Sequence, residues 1–194
     1  MDVDLNEAHV NWYPGGKLNV SENCIDRHVA AGRGDDVALI WEADEPGSTN
    51  ITYNELLANV SKLANVLKEN GVGKGDRVCM YMPMTPYAVY AMLACARIGA
   101  VHAIVFAGFS STSLADRINN GGCKMVITAD EGLRGGKAIP LKATVDEALK
   151  LCPGVETVLV QERTNNPDVA YGPKRHQVAR GYEQSKSRMS SHLR

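Results

Sequence analysis

Two cations flank a glycine pair in the segment ADEGLRGGKAIP, which lies between a predicted strand and a predicted helix. Arg134 and Lys137 stand on either side of Gly135 and Gly136. Glycine lets a backbone approach an anion closely, arginine offers phosphate a rigid fork of donors, and lysine adds a point charge. The segment is therefore a candidate phosphate-binding loop, although the same spacing is common in surface turns whose cations face water.

This segment is not a P-loop. Gly132 and Gly136 stand one residue too close together, and Ala138 occupies the place where a P-loop carries the hydroxyl that binds Mg²⁺. The glycine-rich run 71–75 is no nucleotide site either, because it follows a predicted helix and opens a strand. A dinucleotide fingerprint follows a strand and opens a helix. We therefore predict no triphosphate-binding loop in this chain.

A second turn, Phe106-Ala107-Gly108-Phe109-Ser110, also joins the end of a predicted strand to the start of a helix. Gly108 leaves room for a ligand chain to pass, but spacing alone favours a tight turn before a capped helix. No pattern predicts a metal site, since His28 has no Cys or second His at ligand spacing. No residue is predicted to be catalytic.

Strands and helices alternate around these two turns. Residues 77–82 and 101–105 are apolar runs of strand length, and Thr85-Pro86 and Gly99 are typical of the start and end of the helix between them. A strand, a helix and a strand with short joints form a βαβ unit, so the two strands must be parallel.

The alternation continues to residue 161. Further strands are predicted over 124–128 and 156–161, with one helix beginning at Ser110 or Ser111 and another over 141–151. The order from Arg77 is β-α-β-α-β-α-β, which predicts the α/β class: a parallel sheet with helices on both faces. Open sheets of this kind bind ligands beyond the carboxyl ends of their strands, where both turns lie.

The residues before Arg77 are predicted to form two helices and a strand. Ser21 is a predicted cap for a short helix that ends at Gly32, 37–41 is a short strand, and 42–50 is a polar turn. Thr52 and Glu55 form a capping box that opens a helix ending before Gly71. We divide the chain into an extended arm (1–20), the α/β domain (21–172) and a disordered basic tail (173–194).

Composition excludes several functional classes. The chain has 194 residues and a net charge of −1, so no global field attracts nucleic acid or anionic lipid, and no apolar run is long enough to span a membrane. Its five cysteines show no metal or redox spacing, which indicates a reducing compartment. The start lacks a targeting pattern, which favours the cytoplasm and leaves the mitochondrial matrix as the alternative.

Several stretches, taken in their order and spacing, resemble the acetyl-coenzyme A synthetases, the acetate–CoA ligases of the AMP-forming acyl-adenylate family. The resemblance covers about residues 11 to 171. The stretches that carry it are Asn11-Trp12, 15–20, Asp26-Arg27-His28, Thr52-Tyr53, Leu56-Leu57, 75–78, Met82-Pro83-Met84, 96–100, 105–110 and 132–137.

The resemblance implies a two-step reaction in which acetate and ATP give acetyl-adenylate and pyrophosphate, and CoA then gives acetyl-CoA and AMP. It implies that Arg134 and Lys137 hold phosphates of CoA, that Gly135 and Gly136 line the site, and that Gly108 lies near the pantetheine path. Ala107 stands where many family members have glycine. ATP and Mg²⁺ are used by full-length members, but their adenylating loop and small C-terminal domain have no counterpart here.

The chain therefore resembles only a truncated, N-terminal portion of such an enzyme, with part of the CoA site and no adenylation motif. We expect it to be inactive by itself. Two alternatives stay open: a portion of a propionate or other short-acyl-CoA synthetase, or a non-catalytic protein that pairs with a full-length synthetase. No nucleic-acid or membrane partner is expected. The sequence does not determine the acyl group or the oligomeric state.

Overall fold

The computed structural model describes residues 2–44, 47–170 and 176–178. A π-helical turn, Glu22–Asp26, precedes the first helix. In chain order the elements are β1 Asp2–Asp4, β2 His9–Asn11, α1 Arg27–Ala30, β3 Val37–Glu42, β4 Ser48–Thr52, α2 Tyr53–Glu69, β5 Arg77–Met82, α3 Pro86–Ile98, β6 Val101–Phe106, α4 Ser111–Gly121, β7 Met125–Ala129, β8 Gly132–Arg134, β9 Lys137–Ile139, α5 Leu141–Leu149, β10 Thr157–Gln161 and β11 His176–Val178.

The central feature is a five-stranded sheet with the order β11-β10-β7-β5-β6. Every neighbouring pair in it is parallel, as the alternation of strands and helices predicts. The chain enters at β5, moves outward to β6, and returns across β5 to β7 before continuing to β10. Because such crossovers are right-handed, the reversal puts α3 on one face and α4 and α5 on the other. The α/β class with helices on both faces is confirmed.

The helices of each face also pack on one another. The α2 helix contacts α3 on one face, and α4 contacts α5 on the other. Strands β5 and β7 lie between these layers, and β7 is buried along its whole length. The β6 strand is different, because Val101, Ile104 and Phe106 are exposed. Within the described part of the chain, β6 is the outermost strand on its side of the sheet.

Most predicted helix ends are confirmed. The Thr52 hydroxyl accepts a hydrogen bond from the backbone N–H of Glu55 while the Glu55 carboxylate accepts one from the N–H of Thr52, which is the predicted capping box. Gly99 ends α3 in the left-handed conformation, with φ 74°. Ser110, rather than Ser111, caps α4 by accepting from the N–H of Ser113.

Two predicted caps need correction. Ser21 does not cap the first helical segment, because its hydroxyl is buried and makes no capping bond. Asn19 supplies the cap instead, since its Oδ1 accepts from the N–H of Ser21 at 2.9 Å. Thr85 stands at the start of α3 as predicted, but its hydroxyl bonds the side-chain oxygen of Gln161 and not the helix backbone. At Thr85 a contact far along the chain replaced the local one, whereas the Asn19 cap is itself a local contact.

The sequence analysis missed three antiparallel hairpins. Strands β1 and β2 form one within the segment predicted to be an extended arm, and the aromatic side chains there, Trp12 and Tyr13, are exposed. Strands β3 and β4 form another, so residues 48–50, which were predicted to be part of a polar turn, belong to a strand. The third, β8 with β9, lies within the candidate phosphate-binding loop.

A fifth strand of the central sheet, β11, lies within the segment predicted to be a disordered tail. Its backbone pairs in parallel with β10 over 176–178. The remainder of that predicted tail, like the end of the predicted domain at residues 171 and 172, lies outside the described residues.

Candidate functional site

The candidate phosphate-binding segment is a tight β-hairpin. Gly132 pairs with Ile139, Leu133 with Ala138, and Arg134 with Lys137. The two residues of the turn, Gly135 and Gly136, have φ values of 57° and 73°. Positive φ at both central positions is the requirement of a type I′ turn, which glycine meets without steric cost. The glycine pair is therefore explained by the turn itself.

This turn makes Arg134 and Lys137 a cross-strand pair. Residues directly opposite one another in an antiparallel ladder project their side chains from the same face, and like charges there repel. Both residues are exposed, and no carboxylate of the described residues forms an ion pair with either of them. An anion bound beside them would relieve this repulsion.

A cleft of about 600 Å³ lies beside the hairpin, at the carboxyl ends of β5 and β6. Its walls are mainly apolar, and the charged groups that the described residues contribute to it are two arginines and two carboxylates. The apolar and aromatic residues that line it include Trp41, Met82, Met84, Ile104, Phe106, Leu133 and Ile139. The charged residues that line it are Glu42, Asp44, Arg134 and Arg163. The order of the central strands, which reverses at β5, puts a ligand crevice at this edge of the sheet.

The five site residues predicted from the sequence divide between the cleft and its border. Arg134 lines the cleft, whereas Gly135, Gly136 and Lys137 form the exposed tip of the hairpin. Gly108 follows the lining residues Phe106 and Ala107. A Cβ added at Gly108 would lie 2.5 Å from Cε1 of the Phe106 ring, so this glycine allows the turn to fold against that ring.

Two cleft residues were missed by the sequence analysis, Trp41 and Arg163. The indole Nε1 of Trp41, on β3, donates a 3.0 Å hydrogen bond to the backbone carbonyl of Met84. The guanidinium carbon of Arg163 lies 5.4 Å from the centroid of the Trp41 ring, within range of a cation–π interaction. No short motif joins these residues, so only their contact in space identifies them.

The loop that carries Arg163 is held by a buried carboxylate, Asp130, which is 0% exposed. Its Oδ1 accepts from the backbone N–H of Arg163 at 2.8 Å, and its Oδ2 accepts from the N–H of Thr164 at 3.1 Å and of Asn165 at 3.0 Å. A buried carboxylate is retained where several donors satisfy it. Asp130 thus joins the end of β7 to the segment after β10.

The described residues offer no group of three or more His, Cys, Asp or Glu side chains that could hold a metal ion. They also contain no helix long and apolar enough to cross a membrane. All five cysteines are free, and Cys24 is the exposed one. Burial raises the pKa of the Cys79 and Cys95 thiols to about 12, which makes both of them poor nucleophiles at neutral pH.

Comparison with known proteins identifies the relatives of this chain. The family described as AMP-binding enzyme matches residues 26–189. An acetyl-coenzyme A synthetase 2 of Pseudomonas aeruginosa is 62% identical over 162 residues, which are 83% of this chain and 25% of that protein. An acetyl-coenzyme A synthetase 2-like, mitochondrial protein of Homo sapiens is 58% identical over 85% of this chain and 24% of its own length. The chain thus spans about a quarter of the length of these relatives.

Proposed function

The chain belongs to the AMP-binding enzyme family, and we propose that it forms part of the coenzyme A site of an acetate–CoA ligase. The reaction joins acetate to AMP with release of pyrophosphate. The CoA thiol then attacks the acyl carbon of the acetyl-adenylate, which forms the thioester and releases AMP. The acetyl-coenzyme A synthetases among its relatives support this assignment, with 55 to 62% identity.

The observation that carries the proposal is the cross-strand pair of Arg134 and Lys137 at the border of the cleft. We assign these two cations to the phosphates of the nucleotide end of CoA. The guanidinium of Arg134 supplies a fork of donors, and the ammonium of Lys137 adds a second positive charge. Apolar walls beside a few polar groups are typical of sites that bind small organic ligands.

The two glycines of the hairpin tip contribute shape to the proposed site. A Cβ added at Gly135 or Gly136 would meet nothing within 4 Å, so the tip is open on its outer side. A phosphate can approach the backbone closely at such a turn. We place Gly108 at the border of the same site, beside the lining residue Phe106. The pantetheine arm would pass along this turn.

Adenylation is not assigned to this chain. Its glycine-rich segments have the wrong context or spacing for a triphosphate-binding loop. Holding and neutralising the phosphates of ATP is the main task of catalysis in such a reaction. We therefore propose that the chain binds CoA and does not by itself make acetyl-adenylate.

The compartment that we infer is the cytoplasm, with the mitochondrial matrix as the alternative. The free cysteines support a reducing environment, because thiols persist unpaired where reductants maintain them. The human relative is named mitochondrial, whereas the other relatives compared are bacterial.

A second candidate function is that of a non-catalytic partner of a full-length synthetase. The exposed strand β6 favours it, because Ile104 and Phe106 are 60% and 61% exposed along an outer strand of the central sheet. Unpaired strand edges with apolar side chains are sites where another chain can add. Co-purification of the chain with a full-length synthetase, without CoA binding by the chain alone, would support this alternative.

The proposed function is tested by titrating the purified 194-residue chain with CoA in a calorimeter. We expect binding, and we expect Arg134→Ala to weaken it by about 1.5–3 kcal/mol because a charge-assisted hydrogen bond is lost. Lys137→Ala should cost less, since lysine lacks the fork. Lys74→Ala, an exposed lysine outside the cleft lining, is the matched control. Equal affinity in all four proteins would refute the assignment.

A second assay separates CoA binding from adenylation. Pyrophosphate release is measured with ATP, acetate and Mg²⁺ present. We expect no acetate-dependent release above a blank without protein, and release well above it would contradict the division of functions.

A further inference from the structure

Arg163 is the second arginine of the cleft, and it reaches the cleft from a different element than Arg134. Arg134 ends β8, whereas Arg163 follows β10. The Arg163 side chain is half-buried and lies against the Trp41 ring. A stacked guanidinium keeps its donors at its edge, so stacking on the Trp41 ring does not by itself occupy them.

We propose that Arg163 binds a phosphate group of the ligand in this cleft, with Trp41 as its platform and Asp130 as its positioning residue. The identity of the ligand as CoA rests on the proposed function. That two arginines line the cleft is an observation independent of that function. The chemical class of ligand is a compound that carries phosphate or pyrophosphate on a body with an apolar or planar part. The cleft supplies apolar walls for that body.

The positioning argument begins with Asp130. Its carboxylate accepts from the N–H groups of Arg163, Thr164 and Asn165 in succession, so the backbone of this loop is fixed from within the protein. The Thr164 hydroxyl lies 3.2 Å from Oδ2 as well, and its shorter bond, at 2.7 Å, is donated to Oε2 of Glu131. A side chain that starts from a fixed backbone loses less freedom when it binds a ligand, which improves affinity.

Trp41 is fixed from the other side. Its indole N–H is occupied by the carbonyl of Met84, which immediately precedes Thr85 at the start of α3. The ring face is therefore left for the guanidinium of Arg163. Cation–π contacts contribute most where the cation is partly removed from water, as it is here.

The two carboxylates of the cleft oppose an anion. Glu42 and Asp44 are exposed and line the cleft from the end of β3 and the segment after it. Exposed charges are screened by water and salt, whereas a half-buried arginine is screened less. An anionic ligand should therefore bind in spite of them, and removing one should strengthen binding.

The test uses tryptophan fluorescence of the full chain. The sequence has two tryptophans, and Trp12 is 65% exposed outside the cleft, so Trp12→Phe leaves Trp41 as the reporter. CoA and inorganic pyrophosphate are the probes. We expect both to change Trp41 emission, because each would draw the guanidinium of Arg163 toward phosphate.

In this background, Arg163→Met should weaken the binding of both probes by about tenfold to hundredfold, because a charge-assisted hydrogen bond is lost. Arg163→Lys should recover part of the affinity, since charge is kept and the fork is lost. Asp44→Asn should tighten binding. Arg117→Met is the matched control, because that guanidinium stacks on Phe109 at 4.8 Å but does not line the cleft.

Asp130 has its own readout. Asp130→Asn should shift Trp41 emission in the ligand-free protein and weaken binding, because Arg163 is no longer held in place. Asp146→Asn is the structural control: Asp146 pairs with the buried Lys142 at 2.7 Å, so its loss should lower stability and leave Trp41 emission unchanged. Equal emission shifts in both variants would show that Asp130 has only a structural role and does not position Arg163.

Each outcome decides one of the proposals. If Arg163→Met leaves both affinities unchanged, the inference is overturned, and Arg134→Ala then decides the proposed function separately. If pyrophosphate binds through Arg163 but CoA does not bind, the proposed function fails and the anion site stands. If neither probe binds, both fail. If the Arg163 variants do not fold, the parent protein decides the question. Trp41 emission that is unchanged by both probes then overturns the inference.

Discussion

The hydroxyl of Tyr81 donates a 2.8 Å hydrogen bond to the backbone carbonyl of Phe109. This bond joins the buried strand β5 to the turn that follows β6. The backbone carbonyl of Tyr81 in turn accepts a 2.8 Å bond from the hydroxyl of Thr128 on β7. Three strand ends at the carboxyl edge of the sheet are thus connected through one tyrosine, next to the turn that contains Gly108.

Tyr81→Phe should lower the free energy of unfolding by about 0.5–1.5 kcal/mol, the usual net contribution of a hydrogen bond. Urea denaturation followed by far-UV circular dichroism measures this difference. Tyr13→Phe removes a hydroxyl from a side chain that is 83% exposed, so it should leave the midpoint unchanged and serves as the control. An unchanged midpoint in Tyr81→Phe would show that water satisfies the Phe109 carbonyl equally well.

The contacts of Asp76 predict that the stability of the protein depends on pH in the acid range. The backbone N–H of Gly73 donates to its carboxylate at 2.8 Å, and this bond holds the pKa of Asp76 below its usual range; the ammonium of Lys124 adds to the effect. A group with a lowered pKa in the folded state stabilises the protein above its unfolded pKa, about 3.9 for aspartate. That stabilisation is lost as the pH falls from there through the folded pKa.

Asp76→Asn should therefore be less stable than the parent at neutral pH, and the difference should shrink as the pH falls below about 4. Urea midpoints measured across this range give the comparison. Glu7→Gln is the control, since Glu7 is exposed and remote from this contact. A difference between Asp76→Asn and the parent that stays constant with pH would contradict the electrostatic explanation.

The cysteines should separate into one reactive and four protected thiols, because Cys24 is exposed and the other four are buried. For Cys79 and Cys95, burial raises the pKa to about 12, so almost no thiolate is present at neutral pH. Iodoacetamide followed by mass spectrometry should therefore add one group per folded chain. Cys24→Ser should abolish this addition, and rapid alkylation of Cys79 or Cys95 would contradict the structure of the core.

The outer strand β6 should promote self-association. Val101 is 51% exposed there and lies outside the cleft lining. Val101→Lys should reduce concentration-dependent association in sedimentation velocity, because an edge lysine opposes strand pairing. Val37→Lys is the control: Val37 is 47% exposed, but it lies on β3, which belongs to a separate two-stranded sheet. Equal effects of the two substitutions would indicate general solubility and no role for the edge.

Local features of the fold were determined by the sequence itself. The capping box of Thr52 and Glu55, the proline at the start of α3 and the left-handed Gly99 depend on residues within a few positions of one another. The same holds for the alternation of apolar runs and helical stripes, which requires parallel strands because the joints are short. These features can be predicted from the sequence because the interactions that stabilise them join residues close together in the chain.

Contacts between distant segments were decided by the tertiary structure. Nothing local directs the Thr85 hydroxyl to Gln161. The Asn19 cap is a local bond, but the same side chain also donates from Nδ2 to the distant carbonyls of Ala96 and Arg97. Several partners compete for such polar groups, and packing selects among them. The same applies to β3 and β4, whose pairing depends on a partner strand rather than on a strong pattern of their own.

The candidate site combines residues that the local sequence identifies with residues that only the fold brings together. Arg134, Lys137 and their glycine pair are adjacent in the sequence, so the pattern that predicts anion binding is visible there. Trp41 and Arg163 carry no such signal, because each is an ordinary residue until β3 and the loop after β10 meet at the carboxyl edge of the sheet. The sequence by itself determined the chemistry of the hairpin, and only the tertiary structure decided which side chains share its cleft, since burial and contact depend on the packed chain.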